Sequence, residues 1–306
     1  MIRIDLRIGL RYEIDAGGAD FVFNIHAAQT PRQTLSAETL HLDPPLATTL
    51  HTDAVTGNRR LRLRAPAGAL RLAYAVVVEL DHYRTDPAQL TEVAVQDLPP
   101  QVLGYLYPSR YCQSDRLSRL AADEFGTLPR GHARVQAIAD WVHRRVIFTP
   151  NSSNASTSAL DTLVARAGVC RDFAHLMIAL CRAVGVPARF VTGTDYGADP
   201  ALGPSDFHAY VEAYLGHRWV IFDPAGTGIP MGYLRIGTGR DAADVAFATV
   251  FGGVVTHAPK VSATALADAA HGVALPYLCS EALSTDEALD TMVGASTSVT
   301  RSNANL

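Results

Sequence analysis

Gly168-Val169-Cys170-Arg171-Asp172-Phe173-Ala174 opens a run in which Phe173, Leu176, Met177, Leu180 and Val184 recur at spacings of three and four, the period of one helix face. Gly185 and Pro187 stop the run, so the stretch predicts a helix with Cys170 at its head. A thiol placed there faces the unpaired backbone N–H groups and the positive end of the helix dipole. Both favour a thiolate, the nucleophilic form of cysteine.

Two further stretches complete a constellation: Asp206-Phe207-His208-Ala209-Tyr210 and Phe222-Asp223-Pro224. They fall on the alternating segments Phe207 to Tyr214 and Arg218 to Phe222, separated by Leu215-Gly216-His217, which reads as an antiparallel hairpin. A two-residue loop at Leu215-Gly216 makes His208 and Asp223 direct cross-strand neighbours, with Cβ atoms roughly 4.5–5.5 Å apart. A glycine-first loop at Gly216-His217 makes them diagonal but keeps both on one face. A three-residue loop without a bulge puts them on opposite faces. Taken singly, a cysteine in an apolar run is most often core, a lone histidine structural and an Asp-Pro a turn. The conjunction favours a nucleophile, a base and an orienting carboxylate in series.

The rest of the chain supplies a frame. Strand signals fill Ile2 to Ile14, Phe21 to Ile25, Thr34 to Leu42, Ala47 to Thr52, Leu61 to Arg64 and Leu70 to Tyr83, with turns at Gly57-Asn58 and breaks at Pro44-Pro45 and Pro66. An antiparallel β-sandwich over residues 1–98 is expected, followed by a stiff linker at Pro99-Pro100. Helical patterns then appear at Ser114 to Phe125, around Val135, Ile138, Ala139, Val142 and Val146, and after the capping box Ser158-x-x-Asp161, the last helix running to Gly168. A strand from Ala188 to Thr194, the hairpin, and strand-like runs at Tyr233 to Ile236 and Val245 to Val255 follow. Helices before an antiparallel sheet give an α+β catalytic domain over residues 101–260. Residues 261–306 are expected to form a C-terminal extension, polar and aperiodic from 284 onward and lying over the surface.

The chain resembles the bacterial branch of the transglutaminase-like superfamily, predicted cysteine peptidases whose core is shared with animal transglutaminases, peptide N-glycanases and, more distantly, papain-type proteases. The resemblance is strongest over about residues 155 to 225. It extends more loosely from Leu106-Tyr107-Pro108-Ser109-Arg110-Tyr111 to Arg240-Asp241-Ala242-Ala243-Asp244. It implies a papain-like core preceded by a β-rich region, with Cys170 as nucleophile, His208 as general base and Asp223 as orienting acid. The implied chemistry is thiol-dependent hydrolysis of peptide, isopeptide or side-chain amide bonds through a thioester. The alternatives are transfer of the acyl group to an amine, or an inactive binding module on the same fold.

An oxyanion hole is expected to use the Cys170 N–H. Animal transglutaminases add an indole, but Trp141 and Trp219 stand in no matching motif. Tyr107, Tyr111 and Asn151 are therefore candidate second donors. Asp172 and Asp206 flank nucleophile and base and are candidates for binding an amine, although a solvated first-turn acid and a strand-edge acid explain them equally. His175, about 140° around the helix from Cys170, reads as structural, and Cys181 as core.

Composition bounds the partners. The chain has 306 residues, 48% hydrophobic and 18% charged, with a net charge of -4, which leaves no basic footprint for nucleic acid. Met1-Ile2-Arg3-Ile4-Asp5-Leu6-Arg7-Ile8 alternates charged with apolar residues and reads as a strand, and no apolar run reaches eighteen residues. No membrane association and a cytoplasmic location are expected. Cys112, Cys170, Cys181 and Cys279 are irregularly spaced, as reduced thiols are. Neither a zinc signature nor an acidic calcium loop is present, so no metal or cofactor is expected. The expected partner is a peptide or protein substrate, and both monomer and homodimer remain open. Lys260 is the single lysine, so an acyltransferase of this sequence has almost no amine of its own to cross-link.

Overall fold

A computed structural model of the chain describes residues 1–194, 196–199, 201 and 206–289. Alternation builds the N-terminal half. In β1 (Ile2–Ile14) Ile4, Leu6 and Ile8 are buried while Arg7 and Arg11 face water, the period of two that a half-covered strand requires. With β2 (Ala19–Phe23), β3 (Gln33–Asp43), β4 (Thr48–Thr52), β5 (Arg59–Ala65) and β6 (Gly68–Leu80) it forms two antiparallel sheets. Their inner faces share one core of aliphatic side chains with Tyr12, Phe21, Phe23 and Tyr74. This is the expected sandwich. The chain leaves it through β7 (Tyr83–Thr85) and α1 (Pro100–Leu103).

The catalytic half begins with α2 (Ser114–Phe125), α3 (His132–Arg145) and β8 (Ile147–Phe148). The capping box predicted at Ser158 is made, Asp161 Oδ2 accepting the Ser158 N–H at 2.9 Å, and opens α4 (Ala159–Ala165). That helix ends three residues before Gly168, because Arg166 turns left-handed at φ 54°. The chain then makes β9 (Ala167–Gly168), parallel to β8. α5 (Cys170–Ala183) follows, and every residue from Asp172 to Arg182 is buried. A helix covered on all sides is the centre of its domain. It packs on the sheet of β10 (Ala188–Thr194), β11 (Phe207–Leu215), β12 (Arg218–Phe222) and β13 (Arg235–Gly239), ordered β12-β11-β10-β13. β13 runs on to Gly239, three residues past the strand-like run Tyr233 to Ile236.

The hairpin adopts the glycine-first loop rather than the one at Leu215-Gly216. Leu215 pairs with Arg218 and Tyr214 with Trp219, and Gly216 and His217 both have positive φ, 54° and 63°. That pair of angles matches the twist of an antiparallel hairpin. It also keeps Leu215 in the strand, fully buried, where the other loop would expose it.

The expected boundary at residue 260 is corrected by the strand pairing. β14 (Ala248–Phe251) hydrogen-bonds to β2, and β15 (Val254–Thr256) and β16 (Lys260–Ala265) both pair with β1. The chain thus returns from the catalytic sheet to complete both sheets of the sandwich. β17 (Ala282–Ser284) pairs with β7. Of the expected surface extension, Ser284 and Thr285 are buried and Asp286 lies within a cluster of buried charges; residues 290–306 lie outside the described residues. No helix among the described residues is long and apolar enough to cross a membrane.

Candidate active site

Local chemistry places Cys170 at the first turn of α5. Asp172 accepts the Val169 N–H at 2.9 Å, which caps the helix N-terminus from within. That carboxylate lies against the backbone of Gly168, where an added Cβ would stand 2.7 Å from Asp172 Cβ. Only glycine fits. The Cys170 N–H, at the first helical position, has no acceptor within the helix and is free to stabilise an oxyanion.

His208 starts β11 and Asp223 directly follows β12, both on the sheet face opposite the one packed by Val211, Ala213 and Leu215 against α5. His208 Nε2 is 3.4 Å from Asp223 Oδ2, with the two side chains 2% and 4% exposed. The separation is that of an ion pair rather than an aligned hydrogen bond. Oδ2 already accepts the Tyr233 phenol at 2.5 Å, and Oδ1 accepts the Ala225 N–H at 3.0 Å. With Nε2 turned to the carboxylate, the other ring nitrogen is left for the Cys170 thiol, which lines the same cleft. Burial alone would lower the imidazolium pKa. Asp223 first, and Cys170 after it, overturn that effect and raise it to about 10. Burial likewise opposes ionisation of Asp223, but His208, Tyr233 and the Ala225 N–H hold its carboxyl below the usual range.

Two depressions of about 590 and about 600 Å³ meet at Cys170, Arg171, Phe207 and His208, within the size range of ligand sites. One is bordered by Phe148, Asn151 and Asp206, the other by Tyr111, Phe190 and residues 245–250.

A model of the transglutaminase-like superfamily matches residues 119–224, and one of the bacterial transglutaminase N-terminal domain matches residues 3–101. The crystal structure of a "putative cysteine protease" from Cytophaga hutchinsonii is 37% identical, covers 92% of this chain and 97% of its own, and superposes with a TM-score of 0.84. The chain belongs to the transglutaminase-like superfamily. Among sequence relatives of this transglutaminase-like protein, an uncharacterized protein of Mycobacterium leprae is 28% identical over 191 residues, 60% of this chain and 68% of the relative. One of Mycobacterium tuberculosis is 34% identical over 119 residues, 35% of this chain and 38% of the relative. Together these findings support a papain-like thiol enzyme.

Of the other predicted site residues of this transglutaminase-like chain, Tyr111, Asn151 and Asp206 border the cleft. The Tyr111 hydroxyl is committed to the Ala155 carbonyl at 2.7 Å, while Asn151, at φ 62°, lines the same depression as Cys170. Tyr107 is corrected: it is 61% exposed, and its carbonyl accepts from Arg182 at the far end of α5. Asp172 is corrected as well. It is fully buried and spent on the Val169 N–H and Arg171, so it is neither solvated nor open to an amine. Trp141 donates to Glu124, and Trp219 packs against Tyr105 and Tyr214; neither indole borders the cleft. His175 is structural, stacked on Tyr111 with centroids 4.9 Å apart and accepting the Ala242 N–H.

Tyr233 is the residue that sequence reasoning missed. Its ring lies 4.9 Å from that of His208 while its hydroxyl holds Asp223. Nothing in a strand-like run ten residues past Asp223 announces such a role.

Burial separates the thiols. Cys112 and Cys181 are fully buried, and that burial pushes both up to about 12. Iodoacetamide at pH 6 is therefore expected to alkylate Cys170 and leave those two unmodified. Mass spectrometry of the labelled peptides reads the result; comparable labelling of Cys112 or Cys181 would contradict it.

Proposed function

We propose that the protein is a thiol-dependent hydrolase of peptide, isopeptide or side-chain amide bonds, with Cys170 as nucleophile, His208 as acid and base, and Asp223 as the group that orients the imidazole. The meeting of Cys170 and His208 in one cleft, with Asp223 3.4 Å behind the imidazole, carries this reading. The thiolate attacks a carbonyl carbon, and the Cys170 N–H stabilises the resulting oxyanion. The imidazolium gives its proton to the departing amine, and a thioester remains. His208, now neutral, takes a proton from water as it attacks the thioester, which releases the acid and restores the thiolate. Asp223 fixes one tautomer throughout.

Transfer of the acyl group to an amine uses the same thioester and differs only in what resolves it. The cleft is bordered by neither tryptophan among the described residues, and a cleft open to solvent favours water. Partition decides between the two: with an amide substrate and about 10 mM of a primary amine such as cadaverine, the free acid is expected to remain the main product. A product carrying the amine in preference to water would make the protein an acyltransferase. The comparison should be run against Cys170→Ala, so that uncatalysed aminolysis is subtracted.

A further inference from the structure

β14 is the end strand of its sheet. One side is paired with β2, and no strand lies beyond the other among the described residues. The phase of its ladder follows from the Asn24 N–H, which donates to the Phe247 carbonyl at 3.0 Å. In an antiparallel pair, hydrogen-bonded and non-hydrogen-bonded positions alternate. Thr249 and Phe251 therefore bond toward β2, while the N–H and C=O of Ala248 and Val250 point the other way. Among the described residues no hydrogen bond engages those four groups. The same strand borders the depression that holds Cys170 and His208. Beside it the rings of Phe207 and Phe247 stack with centroids 4.9 Å apart.

We propose that the substrate is an extended polypeptide segment that joins β14 as an added strand and so presents its carbonyl to Cys170. The proposal rests on the hydrolase reading above and narrows it to a class of substrate. Recognition by strand addition draws its affinity from main-chain hydrogen bonds and its selectivity from alternate side chains. An open row of donors and acceptors on an edge strand is a template for another chain, and the strand that carries this row borders the groove that contains the nucleophile. A folded loop or a free amino-acid amide has no extended main chain to match it. The sandwich thus contributes one wall of the site, because β14 lies between the catalytic sheet and β15 in sequence and in its own sheet belongs to β2.

A peptide electrophile tests this without a known substrate. The probes are acetyl-Val-Ala-Val-Ala chloromethyl ketone, its isomers each carrying one N-methyl group, and chloroacetamide, which has no chain to pair. Second-order rates of Cys170 alkylation are measured on the wild-type protein. The peptide is expected to react much faster than chloroacetamide. N-methylation should slow it about 10-fold at alternate residues and less than about 2-fold at the residues between, since strand hydrogen bonds to one neighbour recur with period two. Val250→Pro removes one N–H on the free edge of β14, at a position that makes no bond to β2, where an edge strand tolerates proline. It should lower the peptide-to-chloroacetamide rate ratio several-fold, with the thermal melting point checking the fold. A flat N-methyl series, or a peptide no faster than chloroacetamide, overturns strand addition alone. Failure of chloroacetamide to label Cys170 overturns the accessible nucleophile and the inference with it.

Discussion

Cys170→Ala is expected to lower turnover of an amide substrate by about 10⁴-fold or more, because no other group in the cleft can form the thioester and His208 has nothing to activate. Asp223→Asn should cost about as much in turnover while leaving the protein folded. The carboxamide oxygen can keep the Ala225 N–H, now at 3.0 Å from Asp223, and its NH2 can donate to the oxygen of Tyr233, whose hydroxyl now donates to Asp223 at 2.5 Å, so packing survives. What is lost is the negative charge that raises His208 against the effect of burial. The imidazolium should then give up its proton at lower pH, and the alkaline limb of the rate profile should move down with it. The readouts are steady-state kinetics from pH 5 to 10 and thermal melting of each variant. Wild-type turnover in Cys170→Ala would remove the nucleophile from the mechanism, and an unmoved alkaline limb in Asp223→Asn would remove the orienting acid.

The helix head, the histidine strand and the Asp-Pro were legible because each is a local pattern: a 3.6-residue period ended by glycine and proline, and an alternating hairpin with a glycine in its loop. The register was legible only as a short set of alternatives. Choosing among them required the burial of Leu215, which depends on α5 packing against that face of the sheet. Partner choice was not legible at all. β14 and most of β15 fall in the strand-like run Val245 to Val255, and β16 in what reads as the start of the extension, yet their partners are β2 and β1, more than two hundred residues away. An alternating pattern specifies a face and not a neighbour. The same holds for Tyr233, whose hydroxyl acquires its meaning from a carboxylate just past the end of β12, and for Asp286. A single acid in a polar, aperiodic stretch carries no signal that it will meet two arginines.

Asp286→Ala is expected to destabilise the protein by about 3 kcal/mol at neutral pH, the scale for removing one member of a buried ionic group. Arg189, Arg235 and Glu212 are 5%, 1% and 0% exposed, and Asp286 is 17% exposed. Asp286 takes two bonds from Arg235, at 2.8 and 2.9 Å, and another from Arg189. Two cations and two anions balance; without Asp286 one guanidinium charge is left buried and uncompensated. The segment around it would loosen too, since Thr30 donates to the Thr285 carbonyl at 2.8 Å and Arg218 to the Asp286 carbonyl at 3.1 Å. Burial opposes ionisation of Asp286, but Arg235 and Arg189 together hold its carboxyl well below the usual carboxylate range. A depressed acid of this kind contributes stability that is complete above its unfolded value, about pH 4, and is lost as the pH falls through its folded value. The difference between wild type and Asp286→Ala should therefore be constant from about pH 5 to 8 and shrink progressively below about pH 4. Asp286→Asn, which keeps the shape and loses the charge, should fall between them at neutral pH. Urea unfolding at pH 7 and pH 3 measures both points. A variant as stable as wild type at pH 7, or a gap that does not narrow in acid, would mean that the four charges are held by the fold rather than holding it.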